Sequence, residues 1–183
     1  MPAYHSTLPD DGRTVGNFAM LPLRTKFRGP AFPPSGDKDE DIVDETLLLF
    51  RANCFFRNFE IQSPSDRTLI YGILFISQAL NHLRPGMDER EAGKVLNTLA
   101  LEHFSIPGDP NFPLNTLYTA PRDRGEVEAL RGWMTQFRQE LAQRLLGRVY
   151  ADDKAGPSKV GLFTIFDVLT IVVDGIHKTP LHE

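Results

Sequence analysis

The amino-acid sequence predicts an all-α fold: a single, mostly helical domain of about four to five helices, with an extended N-terminal arm and a Pro-rich loop. Three observations carry that expectation. Six of the 14 prolines fall in the first 34 residues and four more at 107–121, leaving nearly proline-free stretches where helices can run. Three positions read as helix starts, each a capping residue followed three positions later by an acid: Ser63 with Asp66, Asp88 with Glu91, Asp123 with Glu126. Beyond these starts the apolar residues recur at helical spacing.

Residues 1–36 form the arm. Its Val15, Phe18, Met20, Leu21, Leu23, Phe27 and Phe32 follow no helical period and are interrupted by Pro and Gly. Disordered tails lack such aliphatic and aromatic residues. The arm is therefore expected to lie ordered and extended on apolar surface, its own or a partner's. The helical domain is expected over 37–159, and 160–183 reads as an atypical C-terminal tail.

The acidic run Asp37 to Glu45 fits a helix N-terminus, where exposed amides and the macrodipole stabilise carboxylates. Helix one is expected from about Asp39–Asp41 to Phe59. The run lacks the glycine and ligand spacing of a calcium loop. Helix two starts with Ser63 as cap and Pro64 in the first turn, and Pro85-Gly86 ends it after about Leu83. Helix three follows the Asp88 cap, with Ala92, Val95, Leu96, Leu99, Ala100 and Phe104 on its apolar face. Helix four follows Asp123 and carries Val127, Leu130, Met134, Phe137, Leu141 and Leu145 on one stripe. Its Arg131, Arg138, Gln143, Arg144 and Arg148 are expected on a wet face. Between helices three and four, Ile106 to Asn115 combines turn chemistry with apolar side chains, and Ile106, Phe112, Leu114, Leu117 and Tyr118 argue for an ordered loop.

Composition narrows the function classes. A formal net charge of −4 is small and of the wrong sign for a general nucleic-acid binder. The one cysteine, Cys54, sits in an apolar run and reads as a small buried hydrophobe of a reducing compartment. The N-terminus has neither the basic nor the apolar region of a secretory signal, and no apolar run reaches the roughly 18–20 residues of a membrane span. These features predict a soluble, cytosolic protein.

Catalytic signatures are missing. The five histidines, His5, His82, His103, His177 and His182, show no helical metal-ligand spacing, and no phosphate loop or nucleophile elbow occurs. No catalytic, metal or cofactor site is expected. Two P-x-x-P spacings, Pro30 with Pro33 and Pro110 with Pro113, are weak signals for a Pro-recognising partner. They leave open a free-standing helical adaptor that binds through its Pro-rich segments.

A second pattern points to assembly. Leu69-Ile70-Tyr71-Gly72-Ile73-Leu74-Phe75-Ile76 has no polar face, and Leu47-Leu48-Leu49-Phe50 is nearly as apolar. A helix apolar all round is buried all round. With the apolar arm and loop added, the chain is expected to own more apolar surface than it can cover, so partners shelter the rest.

Several collinear blocks then resemble one family, the third subunit of the actin-related protein 2/3 complex. They are Met1-Pro2-Ala3-Tyr4-His5-Ser6, Gly16-Asn17-Phe18-Ala19-Met20-Leu21-Pro22-Leu23-Arg24, Asp41-Ile42-Val43-Asp44-Glu45 and Asp66-Arg67-Thr68-Leu69-Ile70-Tyr71. The proline loop from Ile106 to Asn115 and Phe137-Arg138-Gln139-Glu140 complete the series. The resemblance implies a mostly helical, non-catalytic subunit of the cytoplasm and actin cytoskeleton. It would dock chiefly on actin-related protein 3 and near the second complex subunit, meet the actin filament through the complex, and support nucleation and branching. ATP would bind the actin-related subunits and not this chain. The interface role transfers to Phe18, Leu21 and Leu23 of the arm and to Phe112 and Leu114 of the loop.

The resemblance stops near Lys159, where the family continues with tandem tryptophans and a basic stretch. Here Val160 opens an apolar, β-branched run to Val173. Every valine codon begins with GT, so the change fits translation through an unused intron donor, an expectation that transcripts across the Lys159–Val160 junction decide. An exposed run of this composition would also favour aggregation.

Overall fold

Asp41 shows why the first helix begins where it does. Its carboxylate accepts from the amides of Val43 (3.0 Å) and Asp44 (3.2 Å), and its carbonyl accepts from Glu45 (3.0 Å). These bonds satisfy amides that a helix start leaves unpaired. A computed structural model of the chain describes residues 4–10, 13–34, 40–53 and 60–151. The later part of the expected helix one, Cys54 and the tail at 160–183 lie outside the described residues.

In chain order the elements are β1 (Arg13–Val15), β2 (Phe18–Met20), α1 (Ile42–Asn53), α2 (Pro64–Asn81), α3 (Glu89–Leu101) and α4 (Arg124–Val149). A single 3-10 turn, Asn115–Leu117, lies between α3 and α4. The three caps read from sequence are made. Ser63, Asp88 and Asp123 each accept from the amide three residues on, at 3.1, 2.7 and 2.9 Å. Helix α3 stops at Leu101, so Phe104 belongs to the following loop rather than to the helix.

The fold is mostly helical but not strictly all-α. The arm contains an antiparallel hairpin, with Arg13 opposite Met20, Thr14 opposite Ala19 and Val15 opposite Phe18. Its two-residue turn puts Gly16 at φ +57°, and a Cβ there would collide with the Thr119 carbonyl. Short alternating strands of this kind give too little pattern to separate from an extended arm.

Helix α2 runs through the middle, packed against α1, α4 and β2, while α3 lies chiefly on α4. This placement accounts for its lack of a polar face: Leu69, Ile70, Tyr71, Ile73, Phe75 and Ile76 are all buried. Gly72 lets the helices approach, since a Cβ would sit 2.6 Å from Thr46 Cγ2 and 2.9 Å from Phe137 Cζ.

The arm closes the core instead of waiting for a partner. Val15, Phe18, Ala19, Met20, Leu21 and Leu23 are buried in the same cluster as Leu130, Trp133 and Phe137 of α4. Its backbone is satisfied by side chains of the helices. Thr68 Oγ1 donates to Ala19 O (2.6 Å), Trp133 Nε1 to Leu21 O (3.0 Å) and Gln136 Nε2 to Phe27 O (2.8 Å). Gln136 Oε1 in turn accepts from the Ala31 amide at 2.7 Å. The loop at 106–118 likewise buries Ile106, Phe112 and Tyr118. The expectation of surplus apolar surface is thus corrected for the arm and for Ile106, Phe112 and Tyr118 of the loop, while Leu114 and Leu117 remain exposed. The buried side chains are needed to cover α2 and α4, and each contributes about 1.5–3 kcal/mol there rather than at a partner.

Residues 4–10 stitch α1 to α2. Asn53 exchanges two 2.9 Å hydrogen bonds with the Tyr4 backbone. Glu45 accepts from Ser6 Oγ (2.6 Å) and from the Thr7 amide (2.7 Å). The fully buried Asp66 accepts from the amides of Ser6 and Gln62, each at 2.8 Å, and lies 2.9 Å from His5 Nδ1.

Candidate assembly interface

The five residues expected to meet a partner separate into two groups. Phe18, Leu21, Leu23 and Phe112 lie inside the chain's own core. The Phe18 ring meets Tyr71 and Trp133 edge-on at 6.0 and 5.7 Å, and Phe112 stacks on Tyr71 at 6.2 Å and meets Tyr118 edge-on at 5.1 Å. In this arrangement these four have no surface to give to another chain. Leu114 is different. It is 46% exposed, and Leu117, one turn on, is 41% exposed.

Leu114 also has an unusual backbone. Among the described residues it is the one non-glycine with positive φ, at φ 57° and ψ 30°. A left-handed conformation costs an L-residue roughly 1–2 kcal/mol. Neighbouring bonds hold it: Leu117 N donates to Leu114 O (2.8 Å), and Asn115 links Gly108 N (2.9 Å) to Asp109 O (3.0 Å). Arg67 Nε and Asn17 Nδ2 both reach Leu117 O, at 2.9 and 3.2 Å, and Tyr118 OH donates to Arg67 O at 2.9 Å. Burial raises the Tyr118 phenol above its ordinary pKa, so the donor keeps its proton. The loop therefore presents two leucines on a fixed backbone. Sequence could not show this, because leucine gives no signal for a left-handed position.

Two further apolar positions stand out on the helices. Leu48 of α1 is 66% exposed, with Leu47, Leu49 and Phe50 half-buried beside it. A cavity of about 260 Å³ lies beneath it, walled by Tyr4 and Leu8 of the arm and by Glu45 and Leu49. Leu101, at the end of α3, is 54% exposed.

Charges brace the surface between arm and helices. Arg144 of α4 reaches Asp41 Oδ1 (2.7 Å), Asp44 Oδ2 (2.9 Å) and Glu140 Oε1 (2.8 Å), while Arg24 pairs with Asp44 at 2.9 Å. Burial alone would raise the Asp44 carboxyl, but Arg144 and then Arg24 hold it below its ordinary value. The expected wet face of α4 holds at Gln143 and Arg148, which are exposed, and is corrected at Arg138 and Arg144. Arg144 is mostly enclosed, and Arg138 is only 4% exposed. Arg138 lies between the rings of Phe75 (4.6 Å) and Phe104 (4.4 Å) and donates to Leu99 O and Ala100 O, at 2.6 and 3.3 Å. The negative end of α3 and two aromatic faces thus receive its charge. In sequence it is simply the arginine after Phe137, on the border of the apolar stripe.

Among the described residues no group of three or more His, Cys, Asp or Glu is placed to hold a metal ion, and no helix is long and apolar enough to cross a membrane. Leu48, Leu101, Leu114, Leu117 and Tyr4 are the large apolar side chains exposed among the described residues.

Comparison with known proteins identifies the kind of chain that carries this surface. Residues 1–164 match the family model described as P21-Arc, the ARP2/3 complex ARPC3 (21 kDa) subunit. The chain is 58% identical over 161 residues to the actin-related protein 2/3 complex subunit 3 of Schizosaccharomyces pombe, covering 87% of this chain and 91% of the relative. It is 57% identical over 168 residues to that of Saccharomyces cerevisiae, covering 88% and 93%. With that of Dictyostelium discoideum it shares 47% over 160 residues, covering 85% and 90%.

Proposed function

The chain belongs to the 21 kDa subunit family of the ARP2/3 complex, and we propose that it acts within that assembly as a non-catalytic structural subunit docked chiefly on actin-related protein 3, near the second complex subunit. Through the complex it supports actin nucleation and branched filament formation in the cytoplasm. It needs no cofactor of its own for this role.

The observation that supports docking is the pair of exposed leucines on a rigid loop. A contact element already held in its bound shape loses little conformational entropy on association. In this reading Leu114, with Leu117, makes the contact. Phe18, Leu21, Leu23 and Phe112 serve the interface from beneath, by fixing the arm and loop that carry it.

Replacing Leu114→Asp and Leu117→Asp together tests the reading. Both side chains are less than half exposed, so the isolated folded chain should lose about 1–3 kcal/mol, and incorporation is compared at a temperature where the variant remains folded. Each leucine buried at a contact is worth about 1.5–3 kcal/mol, so incorporation into a reconstituted complex should weaken by roughly 100-fold or more. Undiminished incorporation removes the loop from the interface. A wild-type chain that stays a lone 20.6 kDa species beside the other subunits would refute the assembly role itself and favour the free-standing adaptor.

A further inference from the structure

A second cavity, of about 350 Å³, opens between α2 and the loop that follows α3, and a buried cation lines it. That cation is Arg138. Buried charges are ordinarily paired with an opposite charge. Arg138 has hydrogen bonds and ring contacts, but among the described residues no carboxylate forms an ion pair with it.

Its donors can be counted. A guanidinium has five N–H groups. One goes from Nε to Ala100 O, one from Nη2 to Leu99 O, and one from Nη1 to the Tyr71 hydroxyl at 3.2 Å. Two remain without an acceptor among the described residues. Tyr71 also lines the cavity and is 5% exposed. Its oxygen accepts from Arg138, which leaves its own O–H without an acceptor there as well. Burial raises the Tyr71 pKa, so that proton stays in place.

A positive charge with three unspent donors beside a cavity of about 350 Å³ fits an oxyanion, the group that an arginine fork recognises in a carboxylate or a phosphate. We propose that the cavity receives the carboxylate of an aspartate or glutamate side chain from a neighbouring subunit, which pairs with Arg138 and accepts from Tyr71. The proposal rests on the assembly role above. A protein carboxylate is favoured over a free anion by what borders the cavity. Its lining residue Pro113 precedes the exposed Leu114, and its lining residue Glu102 follows the exposed Leu101. The lining itself adds the apolar Leu74, Phe75, Phe104 and Pro113 around the buried cation, and the exposed leucines are next in the chain to two lining residues, a layout that suits an anchor pocket whose charged pair is shielded from water. Glu102 and His103, both exposed, and Gln78 stand at the mouth.

Gln78→Glu and Glu102→Gln test this without touching the core. The first places a competing carboxylate at the mouth, and the second removes one. In reconstituted complexes, the first should weaken subunit association about tenfold or more, with the thermal stability of the isolated chain unchanged or raised. The second should tighten association severalfold. Association unchanged in both variants would overturn the proposal. So would a loss with Gln78→Glu no larger than the lost chain stability explains, and so would saturable occupation of the cavity by acetate with association of both variants unaffected. Failure of the wild-type chain to assemble is a separate result, which strikes the assembly role instead.

Discussion

Trp133→Ala should cost the isolated chain about 3–5 kcal/mol, the usual range for removing a large buried aromatic. The indole is 1% exposed, stacked on Phe137 at 5.1 Å and edge-on to Phe18 at 5.7 Å. Its Nε1–H is the donor that satisfies Leu21 O at 3.0 Å. Truncation therefore opens a cavity between arm and α4 and also strands a buried carbonyl. The ring alone accounts for most of the loss. Trp133→Phe keeps much of the packing and sacrifices the hydrogen bond, so it should cost about 1–3 kcal/mol. For a domain of this size, 4 kcal/mol corresponds to a fall in melting temperature of roughly 8–16 °C. Thermal unfolding of the two variants measures both values. A loss below about 1 kcal/mol for Trp133→Ala would mean that the arm does not pack on α4 in solution.

Asp66→Ala comes next, at about 2–4 kcal/mol. The carboxylate is fully buried and is the shared acceptor for the Ser6 and Gln62 amides, with His5 Nδ1 at 2.9 Å. Removing it leaves part-buried donors unpaired, at about 1–3 kcal/mol each at most. The total stays below the simple sum because residues 4–10 can fray and return their amides to water. That relief has a signature. Cleavage by a nonspecific protease should become faster within the first ten residues and not in α4. Asp66→Asn retains an acceptor and should lose less than half as much. Equal losses for the two substitutions would show that the charge matters and the hydrogen-bond count does not.

The parts of the fold legible in sequence are those fixed locally. Ser63, Asp88 and Asp123 name their helices because a short side-chain acceptor beside free amides works in any tertiary setting. The destination of the arm is a different matter. Phe18 and Leu21 look the same in a sequence whether they cover their own helices or another chain's. Only the positions of Thr68, Trp133 and Gln136, distant in sequence, decide between them. The arm's apolar residues therefore read as surplus in sequence although they cover the chain's own helices. Arg138 reads as solvent-facing in sequence because its burial depends on Phe75 and Phe104 converging from two other segments. Of the expected interface, Leu114 remains at the surface, and its left-handed backbone arises from the bonds of the whole loop rather than from its side chain.

The account holds that arm and helices form one core before assembly, and that the loop is the part reserved for a partner. Amide hydrogen exchange on the free chain and on the assembled complex measures this directly. Amides at 18–23 should be protected in the free chain to a degree close to those of α4 and should change little on assembly, whereas those at 114–118 should gain protection. Free exchange at 18–23 in the lone chain, lost only on assembly, would contradict it.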